Sequence, residues 1–195
     1  MMFQITVRTA EIRDFPKIAC LKRDAYSVRG YCSQGRAKEQ YLIQKGEFAL
    51  VATRTDEEIL GTMTVSYDDG GLPCDEWFPN ETARVRDMSR KVAYYGTFAV
   101  KPGMWRSSIG LALIRKAIAR AGTDGIDAGI CIVNPRHVAF YGTLGFKEVG
   151  RRGSMPGLDK APAVMLAITG EAAQNLLLRS ASGTRIFRLA DCEAA

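Results

Sequence analysis

The segment WRSSIGLAL (residues 105–113) follows a short apolar run and opens a stretch of helical periodicity. A loop that enters a helix in this way can bind a phosphate, because its backbone N–H groups converge and the helix dipole is positive there. Arg106 would add a cation, and Ser107 and Ser108 could donate hydroxyl hydrogen bonds. Gly110 is the only glycine in the segment. The plain alternative is an ordinary helix start with a solvated arginine.

A second candidate lies in the segment NPRHVAFYGTLGF, which carries two titratable side chains one helical turn apart, His137 and Tyr141. Asn134 is a suitable N-cap for this helix. Tyr141 could equally be a core residue, because His137, Phe140, Tyr141 and Leu144 have the spacing of a core-facing stripe. A lone histidine packs more often than it acts as a base. No second histidine or cysteine pair accompanies it, so we expect no metal site.

These segments need a scaffold that places them side by side. The periodicity predicts a strand at 3–8, a helix at 11–28, a shorter helix near 36–45 and a hairpin of FALVAT with ILGTMTVSY. An insertion at 68–91 holds a helix that begins near Asn80, with Val85, Met88 and Val92 on one face. The remaining elements are the strand AYYGTFAVK, a helix to about 121, the strand DAGICIV, the NPRH helix, the strands FKEVGRR and APAVMLAIT, and a final helix. This order predicts an α/β fold with a mixed sheet.

Composition limits the function classes. The chain has 195 residues, 47% of them apolar, and a net charge of +6, which suits one domain with a positive surface that attracts anions. The basic residues are dispersed, which argues against a nucleic-acid site. Its five cysteines lack CxxC or metal-ligand spacing, so we expect reduced thiols, no metal and a cytoplasmic location. No signal-peptide pattern and no apolar run of ~18 residues occurs, so we expect no membrane span.

The element order and three local patterns resemble the GCN5-related N-acetyltransferase (GNAT) superfamily over roughly residues 3–169. In the superfamily signature, V-x-P, two residues, then [Q/R]-x-x-G-x-[G/A], the V-x-P part matches Val100 to Pro102, whereas of the six loop positions at 105–110 only the last, Gly110, matches. FYGTLGF resembles the superfamily pattern F-Y-x-x-x-G-F. NPRH, PCDEWFP and APAVMLAI are similar to the branch of long-chain N-acyl amino acid synthases, itself similar to acyl-homoserine-lactone synthases. The resemblance implies a mostly antiparallel sheet with helices on both faces, in one domain over 1–170 followed by a helix and tail at 171–195.

The resemblance also implies a site. Backbone groups of Phe98, Ala99 and Val100 would bind the pantetheine arm of the donor, on a strand that splays from its neighbour and is distorted near Gly96. The remaining implied donor-binding residues are Arg106, Ser107, Ser108, Ile109 and Gly110 for the phosphate, together with Asn134. Tyr141 would protonate the departing thiolate, which a hydroxyl with a pKa near ~10 can do.

The acceptor amine needs a base, and here the chain departs from the branch. Its pattern E-x-x-R-[LF]-A-V would place Glu and Arg where this chain has Tyr94 and Thr97. We therefore expect that either a water chain or another carboxylate, such as Glu81 or Asp87, takes the proton, or that the activity differs from that of the branch. In the insertion, Trp77, Phe78, Val85 and Met88 would line an acyl pocket or form a lid with its own small core.

The sequence thus predicts an N-acyltransferase that moves an acyl group, longer than acetyl, to the amine of an amino acid or similar small molecule. The donor would be acyl-CoA or the phosphopantetheine of an acidic acyl carrier protein. Two alternatives remain open: an acetyl-CoA-dependent N-acetyltransferase of small amines, and a non-catalytic homologue that binds an acyl thioester.

Overall fold

The computed structural model describes residues 5–31, 47–54, 58–104, 108–153 and 162–181, and they form one mixed sheet covered by helices. The strands are β1 (Thr6–Thr9), β2 (Glu47–Thr53), β3 (Ile59–Tyr67), β4 (Val92–Val100), β5 (Ala128–Val133), β6 (Lys147–Arg152) and β7 (Ala163–Ile168). The helices are α1 (Phe15–Val28), α2 (Pro79–Asp87), α3 (Ile109–Thr123), α4 (Val138–Thr143) and α5 (Gly170–Ala181), with short 3-10 turns at Ile12–Asp14 and Pro135–His137.

The strand order is β1-β2-β3-β4-β5-β7-β6. Every neighbouring pair is antiparallel except β4 and β5, which run parallel and are joined through α3 as a crossover. The predicted hairpin of β2 and β3 and the mostly antiparallel sheet are confirmed. The one parallel pair places the loop before α3 and the turn after β5 at the same end of the sheet.

Helices cover both faces, as predicted. On one face the apolar stripe of α3 packs against β2, β3 and β4, together with Tyr141, Leu144 and residues of α5. On the other face α1 lies over β3 and β4, and the insertion with α2 lies over β4, β5 and β7. Helical spacing puts these apolar residues on one side of α3, which is the side buried against the sheet: Ile109, Leu113, Ile114, Ala117, Ile118 and Ala121.

Some sequence expectations need correction or lie outside the described residues. Met88 was expected on the buried face of α2, but the helix ends at Asp87 and the Met88 side chain is 63% exposed. The predicted helix near 36–45 and the C-terminal tail fall outside the described ranges. Cys20, Cys74 and Cys131 are free thiols. Within the described residues, no helix is long and apolar enough to cross a membrane.

Candidate active site

The two parallel strands at the centre of the sheet separate along their length. Their ladder joins Val92–Tyr95 to residues 128–131, and neither Gly96–Val100 nor Ile132–Val133 is paired across it. Residues 132 and 133 stay in register with β7 instead. A wedge-shaped gap therefore opens between the C-terminal halves of β4 and β5. Along this edge of β4, the backbone N–H and C=O groups form no ladder hydrogen bonds with β5.

A β-bulge bends β4 where the gap begins. Thr64 pairs with Gly96 and Thr62 with Ala99, so two residues of β4, Thr97 and Phe98, face a single residue of β3. Thr97 has a φ of 41°, and within the described residues it is the one non-glycine with positive φ. The distortion expected next to Gly96 is thus confirmed.

Side chains from α1 and β3 meet at the bulge. Lys22 Nζ donates to Thr97 Oγ1 over 2.9 Å, and the hydroxyls of Thr64 and Thr97 are 2.6 Å apart. Tyr26 Oη donates to the Phe98 carbonyl over 3.3 Å. Neither α1 residue was predicted from the sequence. A signal was available, because Lys22 stands four residues after Ile18, in the apolar stripe of the helix, where a lysine is out of place.

Tyr141, on α4, lies in the core. Its side chain is 8% exposed, and its ring packs edge-on against Phe140 and Phe146 at centroid distances of 5.2 and 5.7 Å. Burial, with smaller contributions from Cys131 and Tyr26, raises the pKa of this phenol well above its ordinary value. Because of this raised pKa, the hydroxyl stays protonated at neutral pH. It makes no hydrogen bond within the described part of the chain. Its role as an acid remains a prediction.

The turn that leads into α4 contains His137 and Asn134. The Asn134 side chain accepts a hydrogen bond from the Arg136 N–H over 3.3 Å, which confirms the predicted N-cap, and its role in donor binding stays a prediction. His137 is half-buried, and burial together with Arg136 and Arg29 lowers the pKa of its imidazole to about 4. The imidazole is therefore neutral at pH 7. Arg136 also contacts Tyr31, both through its hydroxyl and across its ring.

The loop before α3 is only partly described, because Trp105, Arg106 and Ser107 fall outside the described residues. Ser108 is the exposed N-cap of α3, and its side chain makes no capping hydrogen bond. The helix has 15 residues and no acidic residue in its first turn, so its positive end is not neutralised locally. The side chain of Ile109 is buried in the core, which leaves only its backbone for any phosphate.

The two carboxylates expected as candidate bases lie at opposite ends of α2. The Glu81 side chain, in the first turn, packs against Gly150 of β6 and lies 3.9 Å from the guanidinium of Arg152. Asp87 is exposed at the last turn of α2, next to Arg86, which binds Asp68 beside the beginning of β4. Asp87 is therefore at the opposite end of the sheet from the gap. Within the described residues, no carboxylate hydrogen-bonds to residues 96–100.

The two branch positions on β4 have structural roles. Tyr94 is buried beneath α2, and its ring covers Gly96, where a Cβ would collide with it. Phe78 and Val85 of the insertion are fully buried in the same cluster, and Trp77 packs beside it. The insertion thus forms a small core on the sheet, which was one of its two expected roles.

Comparisons with known proteins give the family and the fold. Residues 17–169 match the protein family described as N-acyl amino acid synthase FeeM. Among curated protein sequences, none matches significantly. The solved structure of FeeM, an N-acyl amino acid synthase from uncultured soil microbes, is 22% identical with a TM-score of 0.74, covering 94% of this chain and 96% of that one.

Other solved structures share the fold. The ribosomal-protein-S18-alanine N-acetyltransferase of Escherichia coli is 20% identical, with a TM-score of 0.59 over 86% of this chain and 97% of its own. The NatC complex bound to Gag peptide and CoA contains a chain that is 15% identical, with a TM-score of 0.58 over 86% and 99%. These likenesses show that the chain has the acetyltransferase fold.

Proposed function

Because the chain belongs to the N-acyl amino acid synthase FeeM family, and is therefore an N-acyltransferase, we propose that it transfers an acyl group from a phosphopantetheine thioester to the amine of an amino acid by direct attack. The observation that carries this proposal is the gap between β4 and β5. On one side it has a bulge and a strand edge that β5 leaves unpaired, and on the other side the segment with Tyr141 follows β5.

The donor arm fits this gap. Pantetheine contains amides, and an amide chain can hydrogen-bond to the unpaired edge of β4 at Phe98, Ala99 and Val100 as an added strand would. The start of α3 lies close by, since Gly110 packs on Phe98, so its N–H groups would receive the phosphate, with Arg106, Ser107 and Ser108 completing the loop. The gap and this helix end together suit the donor better than either feature would alone.

The reaction balances without a metal or redox partner. The amine nitrogen attacks the thioester carbonyl carbon, the C–N bond forms, and the C–S bond breaks. A backbone N–H of β4 would stabilise the negative oxygen in between. The thiolate takes the Tyr141 proton, and the surplus proton of the amine passes through water to restore the Tyr141 hydroxyl, in keeping with the absence of a carboxylate hydrogen-bonded to residues 96–100 within the described chain.

The donor is an acyl-CoA or an acyl carrier protein, and the net charge of +6 suits both anions. We propose that the acyl chain is longer than acetyl. We also propose that the enzyme acts in the cytoplasm, where such donors are made. One observation favours the narrower alternative, an acetyl-CoA-dependent enzyme: Phe78 and Val85 are packed into the core and offer an acyl chain no surface.

A thiol-release assay tests the proposal. The protein is incubated with acetyl-CoA, palmitoyl-CoA or palmitoyl acyl carrier protein, each with a mixture of amino acids, and products are identified by mass spectrometry. Release from the long-chain donors together with N-acyl amino acids is expected. Release from acetyl-CoA alone would replace the long-chain proposal with the acetyl one. Binding of every donor without release would mean that the chain is a non-catalytic thioester-binding homologue.

A further inference from the structure

One helix holds the bulge of β4 at two consecutive residues. Lys22 and Tyr26 stand four positions apart on α1 and therefore project from the same side of it. Lys22 bonds the side chain of Thr97, and Tyr26 bonds the backbone carbonyl of the next residue, Phe98. These contacts join parts of the chain 75 and 72 residues apart.

The burial of Lys22 and the backbone conformation of Thr97 each cost free energy when considered separately. The Lys22 side chain is 2% exposed, and burying an amine is costly unless it is hydrogen-bonded. A methionine would fill the same space without that cost. Thr97 is β-branched with a φ of 41°, a conformation that glycine adopts without strain but that strains a β-branched residue. Packing alone therefore explains neither residue.

The two features compensate each other. A glycine at 97 would relieve the strain but would leave Lys22 without the hydroxyl that accepts its hydrogen bond. Thr64 fixes the same hydroxyl from the β3 side at 2.6 Å, so the Thr97 side chain is held from the helix and from the neighbouring strand at once. Strained residues persist where their surroundings hold them in this way.

We propose that Lys22 and Tyr26 are positioning residues, a two-point clamp that sets the β4 bulge and so aims the strand's backbone groups at the donor thioester. The proposal rests on the proposed function for its ligand, and on the described contacts for its geometry. The clamp acts through Thr97 and Phe98 and does not itself touch the reacting atoms. Loss of the two contacts would let β4 relax towards a regular strand and close the gap towards β5.

A double-mutant cycle on kcat/KM tests the clamp. Lys22→Met and Thr97→Val are close in shape to the native residues, and each removes one partner of the hydrogen bond. Each is expected to lower kcat/KM for the acyl donor by roughly ten- to a hundredfold, since the hydrogen bond that fixes a buried polar group is lost. The double variant should be no worse than the poorer single one, because both act on one contact. Losses that multiply, or unchanged kcat/KM, would overturn the clamp.

Two controls separate positioning from general stability. Thr97→Ser keeps the hydroxyl and should retain most of the activity. Thr62→Val removes a buried hydroxyl that donates to the Leu50 carbonyl. Thr62 is on the same face of β3 as Thr64 but takes no part in the Lys22–Thr97–Thr64 contacts. That control should lower the unfolding free energy and leave kcat/KM nearly unchanged. Equal losses of kcat/KM in Thr62→Val and Thr97→Val would assign the Lys22 contact to fold stability alone.

Amide hydrogen exchange of residues 96–100 gives a readout that does not need turnover. In the free protein, Lys22→Met and Tyr26→Phe should each speed exchange in this segment several-fold, while the β2–β3 hairpin stays as protected as in the wild type. If the wild type releases thiol from no donor, the proposed function fails, and this measurement still decides the clamp. Unchanged exchange in both variants would refute the clamp even for an active enzyme.

Discussion

The Phe98 ring lies against Gly110, with its Cζ 2.9 Å from the position that a Cβ would occupy at residue 110. The contact joins the strand proposed to bind pantetheine to the first turn of the helix proposed to bind phosphate. It gives the glycine a packing role at the one position where the loop matches the superfamily signature.

Gly110→Ala should therefore weaken donor binding. The added methyl group must push the Phe98 ring or the start of α3 aside, which disturbs the two halves of the donor site together. We expect a several-fold rise in the donor dissociation constant and a loss of about 1–2 kcal/mol in unfolding free energy. Gly142→Ala is the matched control, because its Cβ would enter open space within α4, and it should be neutral or stabilising. Equal donor affinity in the two variants would contradict the expectation.

Tyr141→Phe should separate chemistry from binding. The substitution removes only a hydroxyl, one that makes no hydrogen bond within the described part of the chain, so stability should hardly change. Loss of a general acid should lower kcat roughly a hundredfold or more. Isothermal titration with an unreactive donor analogue should give an unchanged dissociation constant. Tyr67→Phe, which loses a hydrogen bond to Asp124 outside the site, should keep full kcat. Full kcat in Tyr141→Phe would make Tyr141 a core residue.

Arg86→Met should loosen the insertion. Arg86 bonds Asp68 and Asp75, which lie at the beginning of the insertion, and so ties α2 to the chain that enters it. Burial would raise the pKa of Asp75, but hydrogen bonds from Arg86 and the Leu72 N–H lower it. The ion pair therefore stabilises above the ordinary carboxyl pKa, and its contribution disappears as pH falls below about 4.

Urea unfolding at pH 7 should show a loss of roughly 1–3 kcal/mol in Arg86→Met, and the difference should shrink at pH 3. Arg84→Met provides the control, because that residue is exposed and its one hydrogen bond within the described residues is a long one, 3.4 Å, to the Val149 carbonyl. A difference that persists at pH 3 would mean that Arg86 stabilises by packing.

His137 should make the protein less stable in weak acid. The folded protein keeps the imidazole neutral down to about pH 4, whereas an unfolded chain protonates it near its ordinary pKa of 6.5. Between these values the unfolded state binds more protons, so stability falls as pH falls from 7 to 4. After solvent screening of this half-buried group, about 1 kcal/mol should be lost relative to His137→Gln. It is the chain's only histidine, so parallel pH profiles of the two proteins would refute this assignment.

Much of the fold could be predicted from local pattern. The alternation of β2 and β3 and the helical stripe of α3 reflect which side of each element is buried, and that information is written in consecutive residues. The N-cap at Asn134 was likewise predictable from three residues. The burial of the insertion was harder, because Phe78, Val85 and Met88 look alike in sequence and only two of them reach the sheet.

The sequence by itself determined the element order, the segment that carries Tyr141 and the family, because each depends on residue types at short spacing. Only the tertiary structure decided that β4 parts from β5 after Tyr95, since hydrogen bonds between strands depend on how whole strands twist and bulge. It also brought Lys22 to Thr97 across 75 residues. A lysine in an apolar stripe and a threonine in a strand do not by themselves indicate that the two side chains meet. Their contact gives each its role, and a contact between distant residues exists only once the chain has folded.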